Sequence, residues 1–597
     1  MPSGTQNAQA FLIFPAFPRT TLAAMKLGLW CVISVFAPAS PLLADANVRI
    51  ADVGLNGYYS SITAVRVVLT NPSPQPQSIH LQVAATGQNE VTNSVTTEVL
   101  LGGLEQRTLE LPVEIPAQST LTATAFSSGT PFGRDKYEDP KRASDRLVVL
   151  MCSSDDVCKS AQSQIQFSGT VEDRADKNRG ITFEVVHDPR DHWWAYSASI
   201  AIVLARPTAS LTPAQRDALE GFVRGGGSLV LLESEVADPS FLAAYRTGAP
   251  SQNGERVGKG RLFPVAGLRA NTLGNVFTGA QLKRILESEN SSGWWWSTSF
   301  LRDRFALTFV FPKLRWVLVW LAVYILVIGL LNFAVLRRFR RLEFGWISVC
   351  GVALIFAAAF YRIGARSRPK DFRLDNLATY RLDARSPLAV ADYSLRISAP
   401  QRRDLTVSVA DSAVFSYSNL SSASETNGQI WVEMNRHGQE AQQREVRLGS
   451  PNRIDVSFLK WSYRDFDLHG LRTFPGTVHF VSPNRLRNDT GQRFIEAVYF
   501  DNRAYALYAL PPLAPGQEIQ LDTIKPTRIP LQEEPLAVDP EGPRQTLREA
   551  LRIGLLGSPE AERVFAGLSD GPTLPVELNV SHQENLRTLI LVDLGPE

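Results

Sequence analysis

Two stretches without a single charged side chain constrain this chain more than any other part of its sequence. Residues 316–336 run from Trp316 to Leu336 with the length and composition of a helix that crosses a hydrocarbon core. Residues 344–361 are again uncharged and rich in Ala, Val, Ile and Phe, about 18 residues in all. Arg337, Arg338, Arg340 and Arg341 crowd the short turn 337–343 between them, so the pair reads as a helical hairpin in a lipid bilayer. Helix is the state expected for both, because in lipid the backbone has to satisfy its own hydrogen bonds. Trp316, Trp320, Trp346 and Tyr361 stand near the ends, where amphipathic rings favour the interface. Arg362, Arg366, Arg368 and Lys370 follow the second stretch and rival the arginines of the turn, so positive charge alone does not orient the hairpin.

The N-terminus supplies the missing orientation. Residues 1–24 precede a restart at Met25 and read as an extension outside the functional start. Lys26, the apolar run Leu27 to Phe36 and the small residues Ala44 and Ala46 then make 25–46 a signal peptide, with an uncleaved anchor as the alternative. Export of the following residues puts the turn 337–343 in the cytoplasm and both large polar regions outside. The expected location is a bacterial inner membrane, with the soluble domains on the periplasmic side. Elsewhere the chain looks soluble: 597 residues, a soft prior of about four domains, a net charge of +2 and a mean hydropathy of -0.07. With 61 Lys and Arg against 59 Asp and Glu, bulk charge offers nothing to a nucleic acid, and no nucleic-acid partner is expected.

Outside the hairpin the apolar pattern changes character twice. In 47–130 it alternates, as in Val65, Val67 and Leu69 and then Ile79, Leu81 and Val83, between turns rich in Pro and Gly, which predicts an immunoglobulin-like β-sandwich. In 145–290 the runs are continuous, from Leu147 to Met151, Ile200 to Leu204 and Leu229 to Leu232. Such runs suit parallel strands covered by helices on both faces, the mark of a Rossmann-like α/β domain. Thr212, Pro213 and Gln215 predict a capped helix start, and Gly225 is the expected left-handed residue at its end. Residues 371–525 return to alternation and predict a second β-sandwich-like domain. The tail 526–597 is read as α+β, with a helix over 543–556. The fold class is therefore a multidomain arrangement of α/β plus β-sandwich parts around a transmembrane hairpin.

From Pro189 through Trp193, Trp194 and Tyr196, and on through the Leu211 to Leu232 unit, the chain resembles the class I glutamine amidotransferase-like domain of uncharacterised bacterial membrane proteins. It is also similar to auxiliary domains of ABC-type gliding-motility systems. The likeness extends to Gly329-Leu-Leu-Asn-Phe333 ahead of Arg337. It implies an α/β fold beside a membrane hairpin, and envelope partners that include an ATPase or transporter. Active members of that family carry Gly-x-Cys-x-Gly and His-x-Glu, and this sequence has neither.

The remaining chemistry is sparse. Cys152, at the end of an apolar run, is the one candidate nucleophile, with His187 and His192 as bases; Ser153, Ser154, Asp155 and Asp156 give it neither a glycine elbow nor a thiolate-stabilising charge. A structural role, or a disulfide from Cys152 to Cys158 in an oxidising compartment, is the preferred reading. His187 and His192 near Asp188 and Asp191 are read as a polar loop; no metal and no cofactor is expected. Two aromatic clusters, Trp193, Trp194 and Tyr196, and Trp294, Trp295 and Trp296, serve either as a docking surface for partners or the membrane interface, or as filling between domains. The expected function is a non-catalytic scaffold or binding component of an envelope complex. The alternatives are a hydrolase or amidotransferase working through Cys152, and an accessory subunit of an ABC-type transporter.

Overall fold

Period-two alternation shapes the first part of the chain, since successive side chains of a strand point to opposite faces. The computed structural model describes residues 47–268, 273, 276, 314–416, 443–528 and 563–595, apart from 60–61, 88–91, 117, 128, 139, 143–146, 169–181, 237, 239, 246–253, 259, 341, 367–369, 411–412, 459–461, 502, 505 and 572–573. The signal-peptide region 1–46, the cluster Trp294 to Trp296 and the expected helix over 543–556 lie outside the described residues. Strands β1 (Asn47–Val53), β2 (Ile62–Thr70), β3 (Gln77–Thr86), β4 (Thr92–Leu101), β5 (Gln106–Glu114), β6 (Thr120–Ser127) and β7 (Thr130–Tyr137) follow in order. One sheet has the order β1-β2-β5 and the other contains β4-β3-β6-β7, with antiparallel pairing throughout. Val65, Val67 and Leu69 share a core with Ile79, Leu81 and Val83, so the two sheets form the layers of a sandwich.

The continuous apolar runs become a parallel sheet. It is built from β8 (Leu147–Cys152), β9 (Thr182–Val185), β10 (Ala201–Ala205), β11 (Ser228–Leu232), β12 (Glu255–Val257) and β13 (Gly260–Val265), in the order β9-β8-β10-β11-β13-β12. Only β12 runs antiparallel. Helix α1 (Asp155–Ser168) covers one face, setting Cys158, Ala161 and Ile165 against Val148, Leu150, Val203 and Val230. Helix α2 (Pro213–Arg224) covers the other, with Leu219, Phe222 and Val223 against Val149, Ile202 and Leu229. Because both faces are covered, the central strands carry unbroken apolar runs, Leu147–Met151 in β8, Ala201–Ala205 in β10 and Leu229–Leu232 in β11.

The start of α2 is set by a reciprocal cap: Gln215 N donates to Thr212 Oγ1 at 3.2 Å, and Thr212 N donates to Gln215 Oε1 at 3.1 Å. Its end differs from expectation. Gly225 stays right-handed at φ −69°, and the positive φ of 124° falls one residue later, at Gly226. The helix thus keeps the Gly225 N–H bonded to Gly221 O before the chain reverses.

The two uncharged stretches are helical. Helix α3 (Leu314–Leu326) passes through a π turn (Val327–Leu331) into α4 (Asn332–Arg338), and α5 (Gly345–Arg366) runs back. Leu318–Arg338 and Gly345–Arg362 are long and apolar enough to cross a membrane, and neither is buried within the protein. Trp320 and Tyr324 meet Phe356 edge-on at 6.0 and 5.1 Å, and Ser348 Oγ donates to Asn332 Oδ1 at 2.7 Å, so the helices hold each other. Leu330, Phe333, Leu354 and Ile355 remain exposed on the outside.

Beyond the hairpin come β14 (Phe372–Asp383), β15 (Ser386–Ala399), β16 (Arg403–Val409), β17 (Gln443–Leu448), β18 (Asn452–Phe458), β19 (Ser462–Thr473), β20 (Glu496–Asp501), β21 (Ala506–Leu510), β22 (Arg563–Ser569), β23 (Val576–Leu578) and β24 (His582–Asp593). A nine-stranded sheet contains β19-β15-β14-β24-β22-β20-β21, with β24 parallel to β14 over their full lengths. An eight-stranded sheet has the order β23-β16-β18-β17-β4-β3-β6-β7. Its joint is the parallel pair β4–β17, in which Val95 faces Val446 and Thr97 faces Leu448. The regions that alternation reads separately as 47–130, 371–525 and 526–597 therefore share sheets and one continuous core.

Candidate functional site

Strand order reverses between β8 and β10, because the chain goes from β8 outward to β9 and then returns to the far side of β8. In open α/β sheets, ligands bind in the crevice beyond the carboxyl ends of such a pair. Here short-range bonds tie the strand ends to their neighbours, and Ser153 to Asp156 beyond them are exposed. Ser153 N donates to Ala205 O at 2.8 Å, joining the two strand ends. Cys152 and Cys158 form a disulfide that ties the end of β8 to α1. Ser153 Oγ donates to Glu235 Oε2 at 3.2 Å, and Thr208 Oγ1 donates to Asp238 Oδ2 at 3.0 Å. Hydrogen bonds from the Ser240 hydroxyl, the Ser240 backbone and Thr208 hold Asp238 below the usual carboxylate range. Arg206 is spent on the His187 carbonyl and Ser210 Oγ, both at 3.1 Å.

A sulfur in a disulfide is no thiolate, so in this state Cys152 has no nucleophilic character. His187 and His192 are exposed on the loop that topology brings to the same edge. His192 stacks on Trp194 at 4.9 Å instead of meeting Cys152. Asp188 pairs with Arg66. Among the described residues, no group of three His, Cys, Asp or Glu side chains is placed to hold a metal ion.

The aromatic run at 193–196 lies at a seam between parts of the molecule. Trp194 and Tyr196 are buried, so they present no docking surface. Trp194 packs against Ala64 of β2, while Trp193 approaches Gly221 of α2, which also lies against Leu471 of β19. The Tyr196 ring meets Phe222 edge-on at 6.0 Å, and its hydroxyl accepts from Arg190 N at 2.6 Å; burial pushes that phenol well above its ordinary value. Of the three aromatic residues, Trp194 and Tyr196 are buried at this seam and Trp193 is half-buried.

Sequence reasoning missed the charges beneath these rings. Arg190 has a side chain only 3 % exposed; it pairs with Asp52 and donates to Gly54 O at 2.9 Å. Arg66 of β2 and Glu110 of β5 face the same seam, 3.7 Å apart. Alternation assigns both to the polar side of their strands, and that much is legible. That a second domain covers this side has no local signal.

No known protein family and no curated protein matches the chain. Among solved structures it is similar to the Paenibacillus cycloisomaltooligosaccharide glucanotransferase over 31 % of this chain and 28 % of that one, at 11 % identity and a TM-score of 0.16. The GH2 beta-galacturonidase of Eisenbergiella tayi gives 10 % identity over 32 % of this chain and 48 % of that one, with a TM-score of 0.16. CsgH of R. palustris gives 10 % identity over 16 % of this chain and 92 % of that one, with a TM-score of 0.12. The chain spans less than a third of the glucanotransferase, and at these scores the likenesses carry no argument about fold or function.

Proposed function

We propose that this protein is a membrane-anchored, non-catalytic scaffold or binding component of a bacterial envelope complex, with its soluble parts in the periplasm and its arginine turn in the cytoplasm. The observation that carries the reading is the parallel pair β4–β17. Strands that share hydrogen bonds lie on one side of a bilayer, so a hairpin between them crosses twice and returns. The α/β part takes the place of an amidotransferase-like domain in this reading. Its strand order matches the flavodoxin-like doubly wound pattern. The disulfide at Cys152 supports a binding role over a thiol enzyme. The immunoglobulin-like description of the first sandwich belongs to the same proposal, as does a partner such as an ATPase or transporter.

Reporter fusions test the topology. A phosphatase active only outside the cytoplasm should work when fused after residue 370 and fail when fused within 337–343; the reverse pattern would sink the arrangement. Cys152→Ala separates scaffold from enzyme. The scaffold reading expects the variant to complement a deletion strain at wild-type level, and loss of function with normal protein abundance would favour the thiol enzyme.

A further inference from the structure

The seam between the first sandwich and the α/β part holds an unequal set of charges. From β2, Arg66 pairs with Asp188; from the loop before Trp193, Arg190 pairs with Asp52 of β1. Each guanidinium thus has its own carboxylate. Glu110 of β5 is a third carboxylate among these four groups. Its Oε1 lies 3.7 Å from Arg66 Nε and 3.8 Å from Arg190 Nη1, outside hydrogen-bond reach. That oxygen is buried and accepts no hydrogen bond, and the side chain is only 11 % exposed. Asp191 and His192 also act on Glu110 from the loop, and the Tyr196 hydroxyl lies beneath Arg190. An ionised carboxylate there holds one oxygen away from water, with two guanidiniums inside ion-pair range but neither within hydrogen-bond reach of it.

We infer that this seam is an acid-tightened latch, in which Glu110 takes up a proton when the α/β part closes on the sandwich and releases it when the two separate. The movable partner is the α/β part. The sandwich is fixed to the rest of the β frame by the β4–β17 pair, whereas the hydrogen bonds described between the α/β part and that frame come from side chains, and Leu55 inserts into the α/β core. At its opposite contact Arg385 stacks over Tyr245 at 4.2 Å and Arg256 meets Asp593 at 3.3 Å. Burial raises Glu110 above the ordinary glutamate value of 4.5 and outweighs the lowering by Arg190 and Arg66. A raised folded-state value means that the stabilisation is complete below 4.5 and is lost as pH rises through the closed-state value.

Hydrogen exchange of the full-length protein in detergent, corrected for the intrinsic pH dependence of exchange, reads the latch through peptides covering 62–70 and 193–196. In wild type, opening should become rarer as pH falls from neutral towards 4.5, by up to about tenfold per pH unit within the titration window. Glu110→Gln mimics the protonated group and should show a flat profile at the protected level. Asp188→Asn leaves two carboxylates for two guanidiniums and should give a shallower profile than wild type. A flat wild-type profile, or a wild-type slope retained in Glu110→Gln, overturns the latch.

Discussion

Thr212 and Gly260 are single residues whose roles follow from atoms within a few ångströms. The reciprocal cap of Thr212 and Gln215 is written in four consecutive residues and was fully legible, because capping depends only on local geometry. Thr212→Ala should destabilise the protein by about 1 kcal/mol, seen as a lower midpoint in thermal unfolding of the detergent-solubilised chain. Gly260 could not be read in this way. A Cβ there would stand 2.0 Å from Gly227 O and 2.2 Å from Val223 O, both backbone atoms that cannot step aside. Gly260→Ala should therefore be worse than the cap deletion, measured in the same melt. The cause is the close approach of β13 to the end of α2, which joins residues distant in sequence. Glu110 marks the same limit: its strand position was readable, and the guanidiniums that meet it were not.

Among elements, the central strands of the parallel sheet were legible because burial on both faces leaves continuous apolar runs, and the helical hairpin because two uncharged runs of spanning length flank an arginine-rich turn. Pairing was not legible. Period-two alternation tells which face of a strand such as β3 is apolar, but a backbone edge offers the same donors and acceptors to any strand. The β4–β17 pair can be tested by cross-linking, since Thr97 and Leu448 are direct neighbours across it. Thr97→Cys with Leu448→Cys, in a chain carrying a protease site within 337–343, should leave the two halves joined after cleavage under oxidising conditions and separate on reduction. Separation without reductant would refute the pairing.

For the whole molecule, sequence supplied a list of parts and structure supplied their joints. Residues that look like independent modules on either side of the hairpin contribute strands to one eight-stranded sheet and residues to one core. Expressed alone, residues 371–597 would expose the edge of β17 that β4 normally covers, together with part of the shared core. We expect that fragment to aggregate, and co-expression with residues 47–313 to restore a soluble complex by size-exclusion chromatography. A monodisperse, folded fragment would mean that the C-terminal β region is self-sufficient.

The β4–β17 pair also imposes a schedule on biosynthesis. Gln443 leaves the ribosome about 340 residues after Leu101, and at roughly 5–20 residues per second that interval is on the order of half a minute. During that time β4 has an unpaired edge and both apolar helices have still to emerge and turn. Slow, non-local pairing of this kind exposes a chain to wrong partners. Holding that edge free of other strands until the second half arrives is thus a task for the factors that meet the nascent chain.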